Sequence, residues 1–245
     1  MKISGNESIA RLAMEFRGAR GVFEAFGLDY ACTGDRSLDD AAHVEGIDLE
    51  TVISALQRAQ RNAPPLEPWH DRPLSELTHH LEAEHHRFVR DELASIAMRL
   101  SESCTGGVDV PEDLMSMRSA FTRLAELLLP HFHREEENLF PVIEALEKAW
   151  QSGAAPAVDA SGVSDHIRHL TLEHGTASAQ LRTIRRLRLR LAEANDLAPR
   201  CRAILDDMAT LEGHLHEYMF LENAVVFPRA MALEKQLAHE MHPQG

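Results

Sequence analysis

Twice along the chain a glutamate stands six residues before a proline, with a donor side chain one helical turn ahead of it. The first stretch is His131-Phe-His-Arg-Glu135-Glu-Glu-Asn-Leu-Phe140-Pro141, and the second is Tyr218-Met-Phe-Leu-Glu222-Asn-Ala-Val-Val-Phe227-Pro228. On an α-helix, positions i and i+4 lie on one face. Each stretch therefore aims two donors at one spot. Both glutamates fall on apolar faces, where an ionised carboxylate is tolerated only beside a partner or a metal. A fold that accepts two such residues packs helices around a polar centre, and the cores of helix bundles are where metal sites of this kind are built.

The rest of the chain supports that architecture. Ala, Leu, Glu and Arg dominate, and β-branched runs are scarce, so the chain is predicted to be all-α. Long amphipathic patterns run over about 74–100, 112–150, 165–193 and 199–237, separated by turn-rich segments at 103–109, 153–164 and 194–196. Pro130, Pro141 and Pro228 are expected to kink or restart their helices. Four long helices with short connections predict an up-down four-helix bundle. Ahead of it, Ile9, Leu12, Phe16, Val22, Phe23 and Phe26 have amphipathic spacing. Gly27 ends that pattern, and Ser37 and Asp48 are placed to cap two further helices. The predicted organisation is a small helical domain over 1–62, a Pro-rich linker over 63–73 and the bundle over 74–238.

Fifteen histidines are unusual for 245 residues, and histidine is the commonest metal ligand. Stepping about 100° per residue sorts them by helical phase. In the first long helix His85 falls on the stripe of Leu74, Leu77, Leu81, Phe88 and Glu92, while His79 and His86 point away. In the second, His131 and Glu135 are central among Met117, Leu124, Leu128 and Leu139, and His133 lies nearly opposite. In the third, His174 is central among Ile167, Leu170, Leu181 and Leu191. In the fourth, Glu222 is central, Tyr218 near the centre, His214 at the edge and His216 outside. The spacing repeats, with 46 residues from His85 to His131 and 44 from His174 to Tyr218. The bundle thus reads as two helical hairpins carrying similar donor sets. A single inward histidine is more often a satisfied core residue, but two buried glutamates beside inward donors favour a metal centre.

Six nitrogen and oxygen donors suit two non-haem iron ions. Two glutamates can bridge them, leaving room for an oxo bridge and a small ligand. Zinc prefers four ligands, with cysteine or histidine among them. A ferritin-like carboxylate site requires Glu-x-x-His on two helices; Glu82 and His85 fit, but Thr171 stands at the matching place before His174.

The formal charge of −14 argues against nucleic acid and anionic membranes as partners, because both demand clustered Lys and Arg. The basic run from Arg182 to Arg190 reads as a solvated face. No apolar segment approaches the ~18 residues of a membrane span, and no signal-peptide core is evident, so the expected location is the cytoplasm. Cys32, Cys104 and Cys201 are far apart, without a CxxC pair. Cys104 and Cys201 read as structural.

These residues resemble the repair-of-iron-centres family of hemerythrin-like proteins, which pairs an N-terminal Cys-loop domain with a di-iron four-helix bundle. The likeness rests on Asp29-Tyr30-Ala31-Cys32-Thr33-Gly34, where the family carries two adjacent cysteines. It rests also on His131 and Glu135 with Phe140-Pro141 after them, on Glu173-His174, on His85, and on Leu221-Glu222-Asn223 followed by Phe227-Pro228-Arg229-Ala230. The resemblance implies a metal ligand set of His85, His131, Glu135, His174, Tyr218 and Glu222. It also implies Cys32 as a redox or iron-transfer thiol, and a stress-response function supplying iron to damaged iron–sulfur proteins. Capture of nitric oxide or dioxygen at the di-iron site, or reduction of nitric oxide, is the alternative, and a homodimer is compatible with either. Tyr218 departs from the family's histidine. It can bind ferric iron as a phenolate, yield to His214 one turn earlier, or leave a coordination position open.

Overall fold

The structure is a computed structural model and describes residues 3–63, 69–105, 110–154, 162–193 and 198–241. It is all-α, and the bundle expected from the hydrophobic periodicity is present. Among the described residues the only β-type pairing is an isolated bridge between Ser8 and Ser37. Among the described residues, no helix is long and apolar enough to cross a membrane. Residues 64–68 of the expected linker, and 106–109, 155–161 and 194–196 of the turn segments, lie outside the described residues.

The chain divides into two compact units, Met1–Arg72 with His216–Val225, and Pro73–Leu215 with Val226–Gly245. The first unit begins with α1 (Ile9–Glu15), α2 (Ala19–Phe26), α3 (Leu38–Val44) and α4 (Leu49–Asn62). Side-chain oxygens of Ser8, Ser37 and Asp48 accept the N–H of Arg11, Asp40 and Thr51, capping α1, α3 and α4. Each cap satisfies a helix N–H that has no partner within its own helix. Gly27 ends α2 at φ 75°, in the left-handed region that favours glycine. The loop 29–34 folds tightly. A Cβ on Gly34 would stand 2.6 Å from both the Ala10 Cβ and the Tyr30 carbonyl oxygen, so only glycine fits there.

This unit includes the segment 216–225, on which the loop rests. The Tyr30 ring is fully buried and packs edge-on to Phe220 at 5.2 Å, with Phe23 and His216 at 5.9 and 6.0 Å. Its hydroxyl donates to Glu24 at 2.9 Å. Arg20 pairs with Glu217 at 2.6 Å, and Asn223 donates to the Ala31 carbonyl at 3.0 Å. His216, which helical phase places outside the bundle stripe, is buried against this loop instead.

The second unit holds α5 (Leu74–His80), α6 (Arg87–Thr105), α7 (Glu112–Arg134), α8 (Phe140–Ser152), α9 (Val163–Ala192), α10 (Pro199–Leu221, to Leu215) and α11 (Phe227–Met241). One π-helical turn, Leu81–His86, joins α5 to α6; a second, Glu135–Leu139, joins α7 to α8; a third, Glu222–Val226, joins α10 to α11. Polar ties show that neighbouring rods run antiparallel. Glu147, late in α8, accepts the N–H groups of Leu74 and Ser75 at 2.6 and 2.9 Å. Glu234, in α11, accepts those of Val163 and Ser164 at 2.9 and 3.1 Å. Asp113 at the start of α7 holds Arg190 at the end of α9, and Arg99 of α6 holds Asp207 of α10. Inside, α9 buries Ile167, Leu170, His174, Ala177, Leu181, Ile184, Leu187 and Leu191 along one stripe, each large aliphatic contributing on the order of 1.5–3 kcal/mol. Pro130 lies within α7, which runs on through it, whereas Pro141 and Pro228 are the second residues of the helices that follow π-turns. A proline lacks the N–H that would close the α frame; Phe140 bonds to the Glu135 carbonyl, five residues back, and the frame slips by one residue.

Candidate metal centre

The π-turns fall where the donors are. Glu135 and Glu222 each open one, and His86 closes the one over Leu81–His86. A π-turn inserts one residue, so every side chain beyond it changes face relative to an unbroken α-helix. Such insertions recur at functional sites because they aim side chains that the regular helix would misdirect.

Among the described residues, one ligand atom from each of His131, Glu135, His174 and Glu222 lies within 4.8 Å of the other three, and all four residues are buried. His131 Nε2 stands 3.0 Å from Glu135 Oε1 and 3.1 Å from His174 Nε2. The second oxygen of Glu135, Oε2, stands 3.3 Å from the Nε2 of His86. Glu135 therefore turns one oxygen to each of two imidazoles from different helices.

Both of these imidazoles are held from behind. His131 Nδ1 meets Glu173 Oε2 at 2.7 Å, and Arg134 grips both oxygens of Glu173 at 2.5 and 2.6 Å. His86 Nδ1 meets Glu136 Oε1 at 2.8 Å, and Arg90 holds Glu136 through two bonds of 2.8 Å. An ionised carboxylate only accepts, so Nδ1 carries the hydrogen in both rings and Nε2 is the atom presented to the centre. Metal-binding histidines commonly pass their second N–H to a carboxylate in this manner. Aromatic faces fix the ring planes: His86 stacks on Phe132 at 4.3 Å and Phe140 at 5.7 Å, and His174 lies parallel to Phe227 at 5.7 Å.

The electrostatics call for a cation. Burial disfavours a charge on His131, yet Glu135 and Glu173 on either side raise its pKa overall. His86 behaves alike between Glu135 and Glu136. Burial would raise the pKa of Glu136, but the bonds from His86 and Arg90 outweigh it and hold the carboxyl at about 2. Nitrogen and oxygen donors thus converge in a buried core where positive charge, on an imidazole or a bound cation, is favoured. Imidazole with carboxylate is a donor set that suits iron. The residues present fit a metal centre.

Of the remaining residues singled out from sequence, Tyr218 is fully buried one turn before Glu222. His85 is buried, but its ring neighbours are His80 and His214. Cys32 is half-buried in the 29–34 loop, its Sγ 3.8 Å from the Met219 Sδ and its N–H bonded to Asp29. Helical phase misplaces His86, and the structure shows why. The buried stripe is Leu74, Leu77 and Leu81 before the first π-turn, then Val89, Leu93, Ile96 and Leu100 after it, in place of Phe88 and Glu92. Counting forward from Leu81 selects His85, whereas counting back from Val89 selects His86. The one-residue jump in the apolar pattern was the available signal. The clamps Glu136–Arg90 and Glu173–Arg134 leave no such trace, because surface-facing Glu and Arg occur throughout these helices.

Comparison with known sequences agrees with this geometry. Residues 76–230 match the hemerythrin HHE cation binding domain, and residues 5–60 match ScdA_N, described as a domain of unknown function. The chain is 25% identical over 229 residues to a protein named iron-sulfur cluster repair protein YtfE from Escherichia coli O17:K52:H18, covering 94% of this chain and 98% of the relative. The protein of that name from Citrobacter koseri is 26% identical over 230 residues, with the same coverage. With the hemerythrin match spanning well over half its length, the chain belongs to the hemerythrin HHE cation-binding family, in the two-part arrangement that the resemblance to repair-of-iron-centres proteins implied.

Proposed function

We propose that two non-haem iron ions occupy this centre and that the protein supplies iron for repair of damaged iron–sulfur clusters. The observation that carries the reading is Glu135, whose two oxygens face His131 and His86 at 3.0 and 3.3 Å. That arrangement suits a carboxylate shared by two ions. His131 and His174 would serve one ion, His86 and Tyr218 the other, with Glu135 and Glu222 common to both. His86 thus takes the first-helix place that sequence reading gave to His85. Tyr218 stands to Glu222 as His131 stands to Glu135, one turn ahead of a π-turn. Bound iron is the cargo, and its oxidation state sets how tightly these donors hold it. The relatives' shared name, iron-sulfur cluster repair protein, supports the recipient class, and Cys32 is the thiol proposed to act in transfer.

The test is restoration of an enzyme whose iron–sulfur cluster has been damaged by nitric oxide or peroxide. Iron-loaded protein with a reductant is expected to restore activity faster than an equal amount of free ferrous ion. Glu135→Ala and Glu222→Ala should bind less than one iron per chain and restore nothing. Recovery no better than with free iron would overturn the donor reading. Cys32→Ser repairing at the wild-type rate, at equal iron content, would remove the thiol from it.

A further inference from the structure

Three more histidines touch in series outside the centre. His80, half-buried, lies edge-on to buried His85 with ring centroids 5.4 Å apart. His85 in turn lies edge-on to half-buried His214 at 5.9 Å. Phe88 stacks on the His214 ring at 3.9 Å. A neutral imidazole offers a lone pair at one of its two ring nitrogens. The next residue along the chain from His85 is His86, whose Nε2 faces Glu135. The series therefore begins at half-exposed rings and ends at the residue that precedes His86 in the chain.

We propose that His80, His85 and His214 form a transfer path by which ferrous ion moves between the surface and the centre; this rests on the iron-donor reading. Two imidazoles sharing one first-row ion, at metal–nitrogen bonds of about 2.1 Å, have ring centroids about 5–6 Å apart. The observed spacings of 5.4 and 5.9 Å lie in that range. Each hop exchanges one imidazole ligand for the next; the ion keeps its charge and no electron moves. Neutral nitrogen donors suit such a path. They bind iron, yet without carboxylate charge they hold it less firmly than Glu135 and Glu222 do, so the ion is drawn inward on loading and is not trapped on the way out.

The experiment compares wild type with His80→Ala/His214→Ala and with His85→Gln. Ferrous ion is added anaerobically, then withdrawn by a ferrous-specific chelator, with iron per chain measured at saturation. The expected result is unchanged iron at saturation, with loading and release both slowed about tenfold, the scale on which metal-orienting neighbours act. Equal rates in wild type and variants would overturn the path. Loss of saturating iron in the variants would overturn it differently, by making these histidines resident ligands. A wild type that takes up no ferrous ion defeats the donor reading itself, and the path with it. Should His85→Gln fail to fold, the double variant at two half-buried positions decides the matter.

Discussion

The two hairpins of the bundle are built to one plan and finished differently. In each, a glutamate opens a π-turn, a Phe-Pro follows, and twelve residues beyond the first glutamate a second one caps the hairpin's leading helix. Glu135 and Glu147 do this in the first hairpin, and Glu222 and Glu234 in the second. The leading helices then diverge. From Ser75 to His86 is eleven residues and includes a π-turn; from Ser164 to His174 is ten, within an unbroken α-helix. The extra residue brings His86 inward, to 3.3 Å from Glu135. The residue one turn ahead of the π-turn glutamate differs too, His131 in one hairpin and Tyr218 in the other. A doubled frame supplies two carboxylates at the centre, and small local edits make the donor sets of the two hairpins unequal.

The strongest way to break that comparison is to remove the edit. If Tyr218 is a ligand, oxidised iron-loaded protein carries a visible phenolate-to-iron(III) charge-transfer band. Tyr218→Phe should abolish the band, and Tyr218→His should abolish it while keeping two irons per chain. A wild type with only near-ultraviolet absorption, or a Tyr218→Phe variant with the band intact, would refute the inequality.

A smaller effect is expected from the clamps. Arg90→Gln and Arg134→Gln each loosen a carboxylate that orients one imidazole, and each should weaken iron binding by about 10–100-fold, read by competition with a chelator. An affinity unchanged in either variant would show that its clamp does not orient the ring.

The smallest effect concerns the caps. Glu147→Gln and Glu234→Gln should each cost about 1 kcal/mol, or about 2–4 °C in Tm for a domain of this size. Burial raises the pKa of Glu147, but the bonds from Ser75 and Leu74 outweigh it and lower the value below the ordinary 4.5. Its contribution is therefore full above pH 4.5 and fades as pH falls through the folded-state value. The Tm gap between wild type and Glu147→Gln should narrow on acidification; a widening gap would contradict the assigned role.

Much of this was legible in the chain. Apolar spacing marks the four long helices, and a constant helical step brings His131, Glu135, His174 and Glu222 to the inner face, the four that the structure gathers. The same constant step fails at the first π-turn, where the frame slips and His86 replaces His85 beside Glu135. It also places His216 outside the stripe without revealing that the 29–34 loop buries it. Periodicity reports which face a residue takes relative to its own helix. It carries no information about which distant glutamate will meet the back of an imidazole, and so Glu136 and Glu173 emerge only once the helices are packed.

If the protein donates iron as proposed, the phenyl rings stacked on His86 and His174 bear on what happens after delivery. A vessel that gives up its contents must not buckle when drained. Imidazoles gripped by aromatic walls keep their posture with nothing to hold, which makes successive rounds of filling and discharge compatible with a single rigid shape.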